Sequence, residues 1–418
     1  MASGQLIVAC DFGTTTFRTL VGEVGPGGEL ALLGAGAVPS AGYRDGDFVD
    51  LRAGSHHIGR AVSAAEAAAD VDIAAFYCNV SGSHLRSLTA RGQVQVGPVP
   101  RAISDADVDG ALAKARSIII PFDQCILAAN PVDFAVDRVR GIVDPRGRIG
   151  TQLEVEAHLV TGSGSVVRNV DRAVRMAGYE VAGRAVDVLA AAECLLDPQE
   201  REEGVLLIDV GGRTTGWALF RGGRIAGSGA VPWGGWHMTS DLAHGLRITH
   251  GEAEQVKVRR GIALRSLVEG TDFEALFEEE HPEETPGLVA AILEPRLEEI
   301  FALVKRDAGG GAAAAALGRG IVLTGGGCRC RGSALLCEEV FGAQARCRFL
   351  PERLAGVERL GEGQWATALG LVLWAAGTAR ETAPAAAGVV AEGGQIWRRV
   401  RGWFARSPAA GRQPIAET

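Results

Sequence analysis

One pattern occurs twice in this chain: an apolar run that ends in an aspartate and continues into a glycine–threonine turn. The first copy runs through 5–10 to Asp11 and continues as Phe-Gly-Thr-Thr-Thr. The second runs through 204–208 to Asp209 and continues as Val-Gly-Gly-Arg-Thr-Thr. A further apolar stretch and a glycine turn follow each copy, which predicts a β-hairpin with the aspartate at its tip. Two such hairpins predict two similar halves, each with a carboxylate beside a turn of small residues.

A third glycine turn and several helical segments predict an α/β fold. The apolar run 320–324 ends in Gly325-Gly-Gly, and a helix is predicted over 332–341. Helices are also predicted over 55–70 and from Ser104, a suitable N-cap, to about Ser117. Strands that alternate with helices are typical of α/β layers. We expect 271–286 to be a surface loop, 308–318 a helix end with a linker, and 377–394 a flexible tether.

Composition excludes several classes of protein. The chain has 418 residues, of which 47% are hydrophobic and 22% charged, and this is ordinary for a globular protein of two or more lobes. The net charge of −8 argues against a nucleic-acid partner. The eight cysteines form no Cys-x-x-Cys, which favours reduced thiols over a metal site.

No signal peptide is expected, because the N-terminus leads directly into a strand. The longest nearly apolar run, 365–376, is shorter than the roughly 20 residues that cross a bilayer. We therefore expect a soluble or peripheral protein on the cytoplasmic side.

The three glycine turns have the composition of loops that bind nucleotide phosphates. Backbone N–H groups can approach phosphate oxygens closely where side chains are small, and Thr14 and Thr15 can donate hydroxyls. Asp11 and Asp209, at strand ends, can hold Mg²⁺ through water. A single turn of this kind is a weak indication, because glycine turns are common in hairpins. The ordered set of three predicts a site for ATP and Mg²⁺.

The order of these motifs resembles the superfamily of actin, heat-shock ATPases and sugar kinases. Within it, the chain is similar over nearly its whole length to the FtsA family of bacterial cell-division actin homologues. Matching segments include 80–84, 254–259 and Glu294-Pro-Arg296. The resemblance implies an actin-like, two-lobed α/β ATPase fold with an FtsA-type inserted subdomain and a C-terminal amphipathic helix.

The resemblance also implies a division of the chain. Its parts are a first lobe core (1–83, 162–203 and 362–378), an inserted subdomain (84–161), a second lobe core (204–240 and 309–361), an outer subdomain of the second lobe (241–308), a flexible linker (379–394) and a membrane-targeting helix (395–406).

Site residues follow from the same resemblance. The first phosphate loop would comprise Asp11, Gly13, Thr14 and Thr15, the second would comprise Asp209, Gly211, Gly212, Arg213 and Thr214, and the adenosine end would lie on Gly325, Gly326 and Gly327. Glu254 and Lys257, three apart on one helical face, match a helix that contacts ribose and adenine, although an exposed salt bridge is the alternative. Asp187 matches a catalytic acid that orients the attacking water in heat-shock ATPases, and a helix-capping role is its alternative.

The chain departs from the pattern at three positions. Thr16 replaces a lysine found in many relatives, Arg213 replaces the third glycine of the second loop, and Gly216 replaces an aspartate. Arg213 could present a cation to the γ-phosphate, or it could crowd the loop. We therefore expect nucleotide binding with slow or negligible hydrolysis.

The segment 395–406 predicts an amphipathic helix that lies on anionic lipid. Its apolar stripe consists of Ile396, Trp397, Val400, Trp403 and Phe404, and its flanks carry Arg398, Arg399, Arg401 and Arg406. Aromatic rings suit the headgroup layer, and guanidinium groups suit anionic lipid. A partner-docking helix is the alternative. One short helix binds reversibly, so stable residence would need polymerisation.

The resemblance implies further partners and a location. The chain would form filaments, contact later division proteins through the inserted subdomain, and receive the C-terminal peptide of FtsZ at 287–305. Arg296 and Lys305 are the expected contacts, because that peptide carries acidic residues, and ordinary solvated charges are the alternative. The implied location is the cytoplasmic face of the inner membrane at the division septum.

Three functions compete at this point. They are a polymerising, ATP-dependent membrane adaptor, a small-molecule kinase of the same superfamily, and a pilus-assembly or chaperone-type ATPase. A kinase needs a catalytic aspartate in the cleft and no lipid helix, so the Trp/Arg segment favours the adaptor. The inserted segment and the 294–296 region argue against the third function.

Overall fold

A computed structural model describes residues 5–25, 29–268, 285–311, 317–350, 356–360 and 364–382. The predicted membrane helix (395–406), most of the predicted tether and most of the acidic loop 271–286 lie outside the described residues. Within the part of the chain that the structure describes, no helix has the length and apolarity needed to cross a bilayer. All eight cysteines lie in the described residues, and none of them forms a disulfide.

The helices alternate with the strands as the sequence predicts. The helices are α1 (Leu51–Ala69), α2 (Asp105–Arg116), α3 (Gly164–Met176), α4 (Asp187–Leu195), α5 (Pro198–Glu203), α6 (Gly235–Leu246), α7 (His250–Arg260), α8 (Pro286–Asp307), α9 (Ser333–Phe341) and α10 (Ala366–Thr382). The strands are β1 (Gln5–Phe12), β2 (Thr16–Val24), β3 (Leu30–Pro39), β4 (Tyr43–Arg44), β5 (Asp47–Phe48), β6 (Ala75–Val80), β7 (Arg86–Gln95), β8 (Arg101–Ala102), β9 (Gln124–Val136), β10 (Val139–Ile142), β11 (Ile149–Gly150), β12 (Gln152–Ser163), β13 (Glu180–Val186), β14 (Val205–Val210), β15 (Thr215–Arg221), β16 (Arg224–Val231), β17 (Ile321–Thr324) and β18 (Ala345–Cys347).

Two five-stranded sheets have the same topology, and each forms the centre of one lobe. The first-lobe sheet has the order β3-β2-β1-β6-β13, and the second-lobe sheet has the order β16-β15-β14-β17-β18. In each, an antiparallel meander is extended by two parallel strands on the side of its first strand. The two similar halves predicted from the repeated pattern are therefore confirmed.

Helices α4 and α10 pack between the two sheets and share one core with both. The two helices cross at Gly370, where a Cβ atom would lie 1.9 Å from the carbonyl oxygen of Ala190, so this crossing requires glycine. Helices α1 and α3 cover the other face of the first sheet, and α6, α8 and α9 share the core of the second. This arrangement brings the tips of the two repeated hairpins to one cleft.

A third unit is inserted between the first hairpin and α3. Its sheet has the order β10-β9-β12-β7, and α2 packs on β7 and β12 to form a separate apolar core. As predicted, Ser104 caps α2, whose helix ends at Arg116.

The inserted unit also contacts β16, the edge strand of the second lobe. His158 Nε2 lies 2.9 Å from Ser228 Oγ, and Ser87 Oγ donates to the Ser228 carbonyl at 2.6 Å. Arg224 Nη2 donates to the carbonyl of Ile142 at 3.0 Å. The insertion therefore connects the two lobes away from the cleft.

Two predicted boundaries are wrong, and each error has a local cause. Helix α1 begins at Leu51 rather than at residue 55, because Asp50 accepts hydrogen bonds from the N–H groups of Arg52 and Ala53, both at 3.0 Å. Helix α10 continues through Thr382, into the predicted tether, where Ala379, Arg380 and Glu381 are good helix formers. In addition, α6 runs across the expected division between residues 240 and 241.

Candidate functional site

The two repeated turns face one another in a cleft between the lobes. A Cβ atom at Gly212 would lie 3.0 Å from the Cβ of Thr14, so the loops almost touch. Predicted residues that line the cleft are Asp11, Gly13, Thr14, Thr15, Asp187, Asp209, Gly211, Gly212, Thr214, Gly325 and Gly326. The fold thus brings together in space turns that are far apart in sequence.

Hydrogen bonds from both sides hold the first loop in shape. Its own turn is closed by the Gly13 N–H, which donates to the Thr16 carbonyl at 3.2 Å. From β6, Asn79 Oδ1 accepts from the Phe12 N–H at 2.7 Å. After β3, the Ser40 N–H donates to the Thr15 carbonyl at 3.0 Å, and the Ser40 hydroxyl donates to the Thr14 carbonyl. The loop is therefore fixed before any ligand enters the cleft.

The second loop is fixed by the start of α6. The N–H groups of Gly235 and Trp236 donate to the carbonyls of Gly211 and Gly212, at 2.9 and 2.6 Å. Gly211 also donates to the Thr214 carbonyl at 3.0 Å. Because the two glycine carbonyls are directed at α6, they do not repel an anion in the cleft.

The third glycine turn lies directly beside Asp209. The parallel register of β14 and β17 pairs Asp209 with Thr324, the residue before this turn. Gly325 has φ +86°, and a Cβ atom there would lie 2.3 Å from Asp209 Oδ1. Only glycine satisfies both the left-handed backbone and this close approach.

Three carboxyl groups converge in the cleft. Burial raises the pKa of Asp11 to about 6, although Arg18, 4.0 Å away, partly opposes the shift. Burial together with the charge of Asp11 raises the pKa of Asp209 to about 7. Burial and the charge of Asp209 raise the pKa of Asp187 to about 8. The cleft therefore holds protons near neutral pH unless a cation compensates the carboxylates.

This carboxylate set fits a hydrated divalent cation. Asp11 and Asp209 would hold Mg²⁺, which neutralises triphosphate charge when bound. Among the described residues, no group of three or more His, Cys, Asp or Glu side chains is arranged to ligate a metal directly. Retained water ligands are what Mg²⁺ prefers, so the prediction of binding through water is compatible with this geometry.

Asp187 lies at the start of α4, where its Oδ1 accepts from the N–H of Val188 at 2.7 Å. It is thus a helix-start residue that also lines the cleft. Val186, not Asp187, is the N-cap residue of α4, and it makes no side-chain capping bond, so the capping alternative is not met; the catalytic role of Asp187 stays a prediction.

Arg213 does not line the cleft. Its guanidinium carbon lies 3.9 Å from the ring centroid of Trp236, and Nη1 lies 3.6 Å from Asp45 Oδ1 in the first lobe. In this position its guanidinium is engaged by Trp236 and Asp45 rather than directed into the cleft. It instead connects the lobes at the mouth of the cleft.

Glu254, Lys257 and Gly327 also lie outside the cleft lining. Lys257 Nζ donates to Glu254 Oε2 at 2.7 Å, to Thr239 Oγ1 at 2.7 Å and to the Gly235 carbonyl at 2.9 Å. The ion pair that was the alternative to a ribose contact exists, but it is not an exposed one, because Lys257 is buried and fastens α7 to α6 behind the second loop. Gly327 is buried against Val210.

The two cations expected to contact a partner peptide are engaged within the fold. Arg296 Nε donates to Asp241 Oδ2 at 2.6 Å, and its guanidinium stacks over Trp233. Lys305 Nζ donates to the Val340 carbonyl at 2.7 Å. Their partner role remains a prediction.

Sequence analysis missed several residues that shape the cleft. Asn79, Arg18 and Gln364 line it, and the amide nitrogen of Gln364 lies 2.5 Å from the Cβ position of Gly326. Asn79 and Arg18 carried a usable signal, since each is a polar side chain within an otherwise apolar strand. Gln364 carried none.

Comparison with protein families gives two matches along the chain. The model described as "SHS2 domain inserted in FTSA" matches residues 82–161, and the model "Cell division protein FtsA" matches residues 206–370. The first match spans the insertion that separates β6 from α3.

Curated relatives match most of the chain. It is 33% identical to cell division protein FtsA of Pseudomonas aeruginosa over 347 residues, covering 82% of this chain and 83% of the relative. It is 34% identical to FtsA of Borreliella burgdorferi over 377 residues, covering 89% and 91%. It is 30% identical to FtsA of Escherichia coli K12 over 382 residues, covering 88% and 90%.

Solved structures share the fold at low sequence identity. The PilM–PilN type IV pilus biogenesis complex matches with a TM-score of 0.61 at 19% identity, covering 88% of this chain and 97% of that chain. The ethanolamine utilization protein EutJ of Carboxydothermus hydrogenoformans matches with a TM-score of 0.50 at 15% identity, covering 88% and 89%.

Proposed function

The chain belongs to the FtsA family of cell-division proteins, and from this premise we propose that it is an ATP-binding, filament-forming adaptor that attaches FtsZ filaments to the membrane. Family membership makes it an actin-like cell-division protein. The nucleotide, the lipid and the FtsZ contact are parts of the proposal, as is a location at the inner-membrane face of the septum.

The observation that carries the nucleotide part is the cleft. Two loops with small residues and hydroxyls face one another, and three carboxyls lie beside them. In the proposed complex, Gly13, Thr14 and Thr15 contact phosphate oxygens from one lobe, and Thr214 does so from the other. A ligand held by both loops would join the lobes, so occupancy would set the closure of the cleft.

The raised pKa of Asp187 in the ligand-free cleft supports slow hydrolysis. A carboxyl that keeps its proton near neutral pH is a poor base for activating water. A bound cation would lower the pKa of Asp187. Any turnover therefore depends on how strongly the cation's charge acts on this carboxyl group.

Calorimetric titration of the full chain with Mg·ATP tests the nucleotide part. We expect saturable binding that weakens at least tenfold in Asp209→Asn, because that change removes a charge on the cation side of the cleft. Asp72→Asn, at an exposed position between α1 and β6, is the matched control and should bind like the wild type. Absence of Mg·ATP binding by the wild-type chain would refute the cleft assignment.

Flotation with anionic vesicles tests the membrane part, which rests on the sequence of 395–406. The full chain should float, and a chain that ends at Ala391 should not. Equal behaviour of the two chains would instead agree with the alternative of a small-molecule kinase.

The FtsZ part is tested with a labelled C-terminal peptide of FtsZ. We expect fluorescence polarisation to show binding to the full chain, with weaker binding to Lys305→Ala. Arg91→Ala, an exposed cation on the inserted unit, is the control for non-specific charge effects. An equal loss of peptide binding in both variants would argue against a specific role of α8.

A further inference from the structure

A second cavity lies where the inserted unit meets both lobes, and it shares no lining residue with the nucleotide cleft. It has a volume of about 510 Å³. Its apolar walls include Leu127, Ala128 and Phe134 from β9, Val186 and Leu189 around the start of α4, and Ile225 from β16. A cavity of this size and lining is typical of sites for small molecules.

Buried polar atoms without partners cluster around this cavity. Among the described residues, Asn130 Oδ1, Arg184 Nε and Arg201 Nε are buried and have no hydrogen-bond partner, and all three residues line the cavity. Asn130 and Arg201 are each only 4% exposed. Folded proteins retain few such atoms, because each one loses its bonds to water without replacement. Because these three atoms cluster at one apolar cavity, we expect a ligand there that supplies their missing hydrogen bonds.

The charges around the cavity select a neutral ligand. Arg201 Nη1 pairs with Glu193 Oε1 at 3.0 Å, and Arg224 Nη1 lies 3.3 Å from Asp133 Oδ1. Arg184 is paired with Asp171. Since each arginine already has a carboxylate partner, an added anion would find no unpaired arginine among the three, and an ammonium group has no acceptor for the N–H groups of Arg184 and Arg201. Of the three atoms named above, Arg184 Nε and Arg201 Nε carry N–H donors and Asn130 Oδ1 is an acceptor, and one primary amide can satisfy all three.

We propose that this junction cavity binds a small neutral amphiphile. Its apolar body packs on the β9 and α4 walls, its amide-type oxygen accepts from Arg184 and Arg201, and its N–H donates to Asn130 Oδ1. The ligand touches the insertion and both lobes, so its binding stabilises their mutual arrangement.

Three probes of the same shape test the proposal: 4-pentylbenzamide, 4-pentylbenzoate and 4-pentylbenzylamine, each titrated calorimetrically into the full chain. We expect a saturable site for the amide with a Kd of about 1 mM or tighter, which is the affinity of roughly 14 well-placed heavy atoms. The two charged probes should bind at least tenfold more weakly. Equal binding of all three would mean that the polar atoms do not select the head group and would overturn the proposal.

Two variants locate the site independently. Asn130→Leu removes the acceptor at similar volume and should weaken amide binding at least tenfold. Ala128→Leu fills the cavity without touching a polar group and should abolish saturation, so the test holds even if one variant folds poorly. Ile119→Ser, at a fully exposed position, is the control for non-specific apolar binding and should bind like the wild type. Unchanged binding in both cavity variants would place the probe elsewhere and refute the assignment.

Discussion

Asp187 gives the cleft a measurable dependence on pH. Because burial and Asp209 raise its pKa from 3.8 to about 8, the folded chain retains a proton that the unfolded chain has lost. The stability of the ligand-free protein should therefore fall as pH rises from about 4 to 8.

We predict that Asp187→Asn stabilises the ligand-free protein by about 1–2 kcal/mol at pH 8 and by almost nothing at pH 4, as water at the cleft reduces the full effect. Urea unfolding at the two pH values measures the difference. Asp72→Asn should show no such dependence, and a gain of equal size at both pH values would contradict the electrostatic cause.

The sequence identified Arg213 as an unusual residue in the second loop, but it did not show where the side chain points. The sequence suggested a γ-phosphate contact or a crowded loop, and under crowding Arg213→Gly would raise ATP turnover. The observed contacts with Trp236 and Asp45 favour another outcome.

We predict that Arg213→Gly leaves turnover per bound nucleotide unchanged and speeds nucleotide release several-fold, because it removes a contact between lobes. Stopped-flow release of a fluorescent ATP analogue measures this rate. Asp45→Asn should act through the same contact, with a coupling of about 0.5 kcal/mol in the double-mutant cycle. Additive effects of the two changes would argue against a shared contact.

At the scale of elements, the contact between β12 and β16 joins the insertion to the second lobe. Burial lowers the pKa of His158 to about 4, and its Nε2 lies 2.9 Å from Ser228 Oγ. The unfolded chain takes up a proton below pH 6.5 and the folded chain does not, so this contribution is lost as pH falls from 6.5 towards 4.

His158→Gln should remove that loss, which amounts to about 2 kcal/mol between pH 7 and 5. Thermal unfolding of the wild type and the variant at both pH values provides the comparison. His56→Gln, an exposed control on α1, should unfold with the wild-type pH dependence. If His158→Gln also unfolds with the wild-type pH dependence, His158 is not the group that causes this dependence.

At the scale of the whole molecule, the proposed membrane attachment depends on many copies. A single short amphipathic helix binds weakly, while a filament presents a row of them with high effective concentration. We predict that retention of the full chain on anionic vesicles rises steeply once the protein polymerises.

Trp403→Glu should reduce retention at least tenfold, because it places a charge in the apolar stripe, while Trp403→Phe should retain binding. Co-sedimentation across protein concentrations measures both. Retention of Trp403→Glu at the wild-type level would assign the segment another role.

The sequence by itself determined the features that depend on local order. The repeated apolar run, aspartate and glycine turn defined two matched sheets, and Ser104 defined the start of α2. These could be predicted because strand pleating, turn geometry and capping involve residues close together in the chain.

Only the tertiary structure decided which way the long polar side chains point and what the three units enclose. Arg213 turns to Trp236 and Asp45, Lys257 turns into α6, and Asn130, Arg184 and Arg201 meet at one cavity. A flexible, charged side chain takes the direction of its best partner, and here those partners come from distant parts of the chain. The local sequence does not identify such a partner, because the two residues come into contact only when the lobes pack together.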